Sequence, residues 1–116
     1  MKIIRLYTGD DGKSHFEDVD ITLDDSGFIG KLSKPQKATS VIFRETAADY
    51  DYDWHNAPER QYIIMLDAGV EITLGDGTKR RVDQGDVLLA EDTTGQGHVS
   101  RALQNKPRKS VFITLE

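Results

Sequence analysis

Arg60-Gln61-Tyr62-Ile63-Ile64-Met65-Leu66, then Val70-Glu71-Ile72-Thr73-Leu74, Gly75-Asp76-Gly77 and Thr78 to Val82, is the stretch that decides the fold. Side chains alternate across a strand, so Ile63 and Met65 share one face while Tyr62, Ile64 and Leu66 share the other. A strand apolar on both faces has to lie between a core and a second covering layer. The Asp-Gly step between two β-rich runs predicts a hairpin, because so tight a turn needs positive φ. Asp83-Gln84-Gly85-Asp86 then turns the chain into Val87 to Ala90, another buried strand.

The same rhythm extends in both directions. Ile3 to Tyr7 reads as a strand closed by the turn-forming run Thr8-Gly9-Asp10-Asp11-Gly12. Ser14 to Glu17 and Val19 to Leu23 read as extended, and Thr39 to Thr46 as a strand rich in β-branched and aromatic residues. Ala47-Ala48-Asp49 offers at most one helical turn. His98 to Leu103 and Ser110 to Leu115 complete the set. With no repeat, low-complexity tract or dividing linker, the expectation is one all-β domain over residues 1–116, a sandwich or barrel.

Composition narrows the function classes. The chain has no cysteine, which excludes a disulfide framework, a thiolate metal site and a cysteine nucleophile. No secretory signal precedes the first strand and no apolar run has bilayer length, so the expected address is cytoplasmic with no membrane partner. A net charge of −5 argues against nucleic acid as a partner. Acids crowd the first strands (Asp10, Asp11, Glu17, Asp18, Asp20, Asp24, Asp25), whereas 93–115 carries Arg101, Lys106, Arg108 and Lys109 with no acid. Such asymmetry suits solvated faces or a contact between subunits.

His55 to Arg101 resembles the cupin superfamily. His55 matches the first histidine of that family's first motif, and Gln61 stands where the motif has glutamate. Leu66-Asp67-Ala68-Gly69-Val70-Glu71-Ile72 looks like the family's Leu-Glu-Gly-x-Val-Glu-Val corner. Gly85-Asp86-Val87-Leu88-Leu89 matches the opening of the second motif, and His98 matches its histidine. Ala57 occupies the second histidine position. The resemblance implies a cupin-like double-stranded β-barrel of jelly-roll type, a homodimer, and a pocket bracketed by the two motifs. It also implies a divalent transition metal (iron, manganese, nickel, copper or zinc) on His55, Gln61 and His98; if the strand extends back that far, Glu59 shares the face of Gln61 and is a further candidate donor. The reactions it implies are metal-assisted oxygenation or isomerisation of a small polar substrate.

Three readings of the two histidines stay open: a metal site, a metal-free pocket for a small molecule, and buried side chains with no function. Without metal, each imidazole titrates near neutrality and can exchange a proton with a ligand. The candidate pocket comprises Arg44, Trp54, Glu59, Arg60, Gln61, Met65, Glu91 and Thr94 beside the histidines. Tyr50, Tyr52 and Trp54 alternate with acids, which suits either a stacking rim or an aromatic face packed on the core. Arg44 and Arg60 are candidates to clamp a substrate carboxylate or to pair with nearby acids. Glu91-Asp92-Thr93-Thr94-Gly95-Gln96-Gly97 suits a ligand-approaching loop, a lid or a plain turn, and lacks the lysine of a phosphate loop. His15 is a third candidate, placed in a surface turn or at a subunit contact.

Overall fold

The computed structural model of the chain describes residues 1–116. Twelve strands follow in order: β1 (Lys2–Thr8), β2 (Ser14–Asp20), β3 (Asp24–Asp25), β4 (Lys31–Leu32), β5 (Ala38–Thr46), β6 (Asp51–His55), β7 (Gln61–Met65), β8 (Val70–Thr73), β9 (Lys79–Val82), β10 (Val87–Glu91), β11 (His98–Ala102) and β12 (Arg108–Leu115). Six of them form one sheet in the order β2-β1-β10-β7-β12-β5, and four form a second in the order β6-β11-β8-β9. The short strands β3 and β4 pair with each other alone. No helix is long and apolar enough to cross a membrane.

The two-faced strand lies where its pattern requires. β7 is interior to the larger sheet, flanked by β10 and β12, with Val87 opposite Ile64 and Ile113 opposite Tyr62. Its inner face meets the smaller sheet. Ile4, Leu6, Met65, Leu88 and Ala90 from the larger sheet join Val70, Ile72 and Val82 from the smaller one in a single buried cluster. Each fully buried aliphatic side chain there contributes roughly 1.5–3 kcal/mol. The outer face, with Tyr62, Ile64, Val87, Ile113 and Leu115, borders an open depression of about 840 Å³. Ile21, Thr22, Ser33, Lys34 and Gln36 form its other wall, so the expected covering layer is an irregular segment that covers the sheet only in part.

The Asp-Gly hairpin forms as expected. Leu74 and Thr78 close the turn at 2.8 Å, Gly77 adopts φ +88°, and Ile72 faces Arg80 across the β8–β9 ladder. Other expectations shift. Val19 to Leu23 is not a separate strand: β2 runs unbroken to Asp20, and Ile21 then donates to the Met1 carbonyl. The two larger sheets share no backbone ladder, so the architecture is a pair of facing sheets rather than a closed barrel.

One glycine joins the fold to the site. Gly97 has φ +76°, and a Cβ there would stand 2.1 Å from the backbone carbonyl oxygen of His55. Gly77 has the same left-handed backbone with open space around it. Gly97→Ala should therefore cost about 2 kcal/mol more than Gly77→Ala, the excess measuring the clash rather than the dihedral. Urea unfolding of the two variants checks this, and equal losses would contradict it.

Candidate functional site

A cavity of about 370 Å³ lies between the two sheets. Its walls are mostly apolar, with Ile42, Ile63, Met65, Ile72, Leu88 and Phe112 among them. The polar side chains that reach it are few: His55, Gln61, His98, Ser100, Arg44 and Arg108, with the phenols of Tyr50 and Tyr52 and the amide of Asn56. An apolar concavity with a small number of convergent polar groups is the usual form of a small-molecule site.

His55 and His98 face each other across neighbouring strands. They are directly paired in the β6–β11 ladder, with ring centroids 4.4 Å apart. The ladder is irregular just beyond them, because Tyr52 pairs with Ser100, so β6 advances one residue more than β11. Such a bulge interrupts the strict alternation of faces. Tyr52 and His55 consequently point to the same side and stack, with centroids 3.7 Å apart and planes 17° from parallel. Trp54, which simple alternation groups with Tyr50 and Tyr52, is exposed and lines no part of the cavity.

Hydrogen bonds fix both imidazoles. His55 Nδ1 lies 2.7 Å from the Asp53 carbonyl, which only accepts, so that nitrogen carries the proton and Nε2 is left with its lone pair. Ser100 Oγ stands 3.4 Å from that Nε2. His98 Nδ1 donates to Asp92 Oδ2 at 2.5 Å, and Ser14 Oγ donates to the same oxygen at 2.7 Å. Burial holds the His55 imidazole below its ordinary pKa; the Asp53 carbonyl opposes this, and the neighbouring His98 and Arg44 add to it.

The loop before β11 is tied down rather than free to act as a lid. Asn56 Nδ2 donates to the carbonyls of Asp92, Thr94 and Gly95, and the Ala57 amide donates to Asp92. Thr8 Oγ1 also donates to Thr94, and the Gln96 amide to Gly12. Thr94 itself is exposed and faces away from the cavity.

Of the residues expected in the pocket, Arg44, Gln61 and Met65 line it with the two histidines. Glu59, Arg60 and Glu91 do not. β7 begins only at Gln61, so Glu59 stays exposed in the preceding bend. Glu91 follows the inward-facing Ala90 and points out, where Arg5 Nε and Arg60 Nε each donate to it at 2.6 Å. Burial raises the Glu91 carboxyl, but the two arginine hydrogen bonds outweigh it and hold the group below its usual range. Arg60 is thereby a surface ion-pair residue rather than a clamp. His15 sits on β2, its Nε2 3.0 Å from Asp11, away from the cavity.

The chemistry of the donor set tests the implied metal. His55 and His98 offer two imidazole Nε2 atoms, and Gln61 adds a neutral amide. No Asp or Glu lines the cavity, Ala57 presents a methyl group where the resemblance has a histidine, and no cluster of three or more His, Cys, Asp or Glu side chains assembles anywhere. The full three-histidine, one-carboxylate set is absent.

Arg108 escaped the sequence reading. It opens β12 on a surface-like run with Lys106 and Lys109, yet it is only 5% exposed and reaches the cavity beside Tyr50. Its signal was available: in Arg108-Lys109-Ser110-Val111-Phe112, alternation places Arg108 on the inward face with Phe112.

No protein-family model matches the chain, and no curated protein matches it. Among solved structures, protein NMB1881 from Neisseria meningitidis superimposes with a TM-score of 0.50 at 15% identity, over 72% of this chain and 88% of that one. The likeness is one of fold.

The His55 shift gives a stability signature. A depressed folded pKa means the unfolded chain binds more protons below about pH 6.5, so this contribution is present above that pH and lost as pH falls through the folded value. His55→Asn removes it. From about pH 7.5 to pH 5 the urea midpoint of the unaltered chain should therefore fall further than that of His55→Asn. Parallel falls in the two proteins would contradict the assignment.

Proposed function

We propose that the chain is a small-molecule-binding domain of cupin type, with the cavity between its sheets as the ligand site and the His55–His98 pair as its reactive wall. The observation that carries this reading is the convergence of both histidines and Gln61, all singled out by the cupin-like motifs, on one largely apolar cavity. At neutral pH a neutral His55 offers its Nε2 as a proton acceptor, and Asp92 fixes the orientation of the His98 ring beside it. Binding alone, or binding with proton transfer as in an isomerisation, both fit this wall.

A screen of small polar compounds by ligand-observed NMR tests the reading. Ile42 is half exposed at the cavity. Ile42→Trp should obstruct it without disturbing the core. Hits that bind the unaltered chain and lose at least about tenfold in affinity in Ile42→Trp support the site. Hits bound equally well by both would place the ligand elsewhere.

A metal-dependent variant is favoured by one observation: each Nδ1 is engaged by an oxygen, the arrangement that leaves Nε2 free for a metal. His55, His98 and Gln61 would hold the ion, which would supply Lewis acidity and an anchor for the ligand. Elemental analysis of untagged protein should then find close to one transition metal per chain, lost in His55→Ala and in His98→Ala. Equal metal in all three proteins, or none after reconstitution, would contradict it.

A homodimer fits the same reading. Phe28 is fully exposed, and Ile29 and Leu32 are largely so, on the segment bordering the outer face of the larger sheet. Such apolar exposure suits burial against a second copy. The absence of cysteine supports a cytoplasmic setting.

A further inference from the structure

The chain carries 20 acidic residues against 15 Lys and Arg, yet not one acid lines the cavity. Two arginines do. Arg108 is 5% exposed, and its Nε and Nη1 have no hydrogen-bond partner. Arg44 lies on the neighbouring strand β5, opposite Ser110, while Thr46 lies opposite Arg108. The guanidinium carbons of both arginines sit over the Tyr50 ring, Arg108 at 4.7 Å and Arg44 at 5.4 Å. Neither arginine takes part in a salt bridge. Glu45 and Asp67 flank the outer side of Arg108 across a shallow surface depression without pairing with it, and Asp67 instead accepts the Lys109 amide at 2.7 Å.

The neighbouring hydroxyls sharpen the pattern. Thr46 Oγ1 and Ser110 Oγ are likewise buried without a partner. Four of the five buried side-chain polar atoms that lack one therefore belong to this single patch of the β5–β12 ladder. On the cavity side the two guanidinium groups meet no acid, and Thr46 and Ser110 back them within the ladder without lining the cavity, so this wall is deficient in negative charge. A buried, unpaired guanidinium is costly, and pairing with an anion removes that cost. Arginine's planar fork matches a carboxylate in two-pronged contact.

We propose that Arg108 and Arg44 form a subsite for the carboxylate of a small organic acid, whose apolar body lies along Ile42, Ile63 and Phe112 and whose far end meets His55 and His98. This rests on the reading of the cavity as a ligand site and names the class of ligand. Tyr50 packs against both guanidinium groups, and its phenol also engages Arg108. The histidine wall is then free to act on the part of the acid remote from its carboxylate.

The test is calorimetric titration of acetate, hexanoate and benzoate, each against its neutral amide, into the unaltered chain, Arg108→Met and Arg44→Met. At least one acid should bind about tenfold or more tightly than its amide, and each arginine variant should lose about tenfold for that acid. Arg108→Met should keep or raise the unfolding midpoint, since it replaces an unpaired buried charge by an apolar chain of similar length. Should it fail to fold, the half-buried Arg44→Met carries the test. An acid bound equally well by the unaltered chain and by the folded variants overturns the proposal. Amides that bind as tightly as acids, with loss in Ile42→Trp, would overturn the anion subsite while leaving the cavity as a ligand site. No binding by any member of the panel would overturn the subsite, and the cavity reading then falls only if the broader screen also finds nothing. Inorganic phosphate binding more tightly than every carboxylate would assign the patch to phosphate and overturn the commitment to an organic acid.

Discussion

Asp92 has no exposure to solvent, and both of its side-chain hydrogen bonds converge on Oδ2, one from each sheet. Ser14 reaches it from the larger sheet and His98 from the smaller. Its backbone carbonyl meanwhile accepts from the Ala57 amide and the Asn56 side chain, which fixes the residues just after His55. One loop residue thus orients His98, ties the chain just after His55 and fastens one end of the sandwich. Its Oδ1 has no partner, a cost accepted where the other oxygen organises so much. Packing of Leu6, Ile72 and Val82 holds the two sheets together, but packing alone is non-directional and does not aim an imidazole.

Around that tie the electrostatics invert. The surface is acidic, and the strand edges carry ion pairs such as Arg80 with Asp18 and Arg5 with Glu17 and Glu91. Within the cavity the sign changes, with Arg44 and Arg108 as its only charged side chains. Surface pairs of this kind contribute little to stability. The internal charges are different in kind, because burial strengthens their fields and leaves them without solvent to screen them. An acidic exterior with a cationic interior favours ligands small enough to enter and negative enough to stay.

The β-rich architecture was legible because its signals are local. A strand apolar on both faces had to be interior, and the Asp-Gly turn had to be a hairpin; both are so. His55, Gln61, His98, Met65 and Arg44 were placed in the pocket by motif and alternation, and all of them line it. Two of the misses, Trp54 and Glu59, share one origin, which is that period-two reasoning has no means of seeing a bulge or a strand start, whereas Glu91 points out as plain alternation after Ala90 requires. The extra residue in β6 turns Trp54 out and His55 in, and the late start of β7 leaves Glu59 in a bend. Arg108 was hidden for the opposite reason. Its alternation was sound, but a basic residue between Lys106 and Lys109 reads as surface by composition. Whether two sheets close into a barrel depends on edge pairings far apart in the chain, which no local pattern encodes.

Hydrogen bonding to the Asp53 carbonyl and to Asp92 engages Nδ1 of His55 and His98 and so leaves Nε2 of each ring for the cavity. Long-range nitrogen–proton NMR of the imidazole rings, at mildly alkaline pH, reads the tautomer of each histidine directly. His55 and His98 should both carry their proton on Nδ1, and Asp92→Asn should disturb His98. A proton on Nε2 of either ring in the unaltered chain would contradict this arrangement.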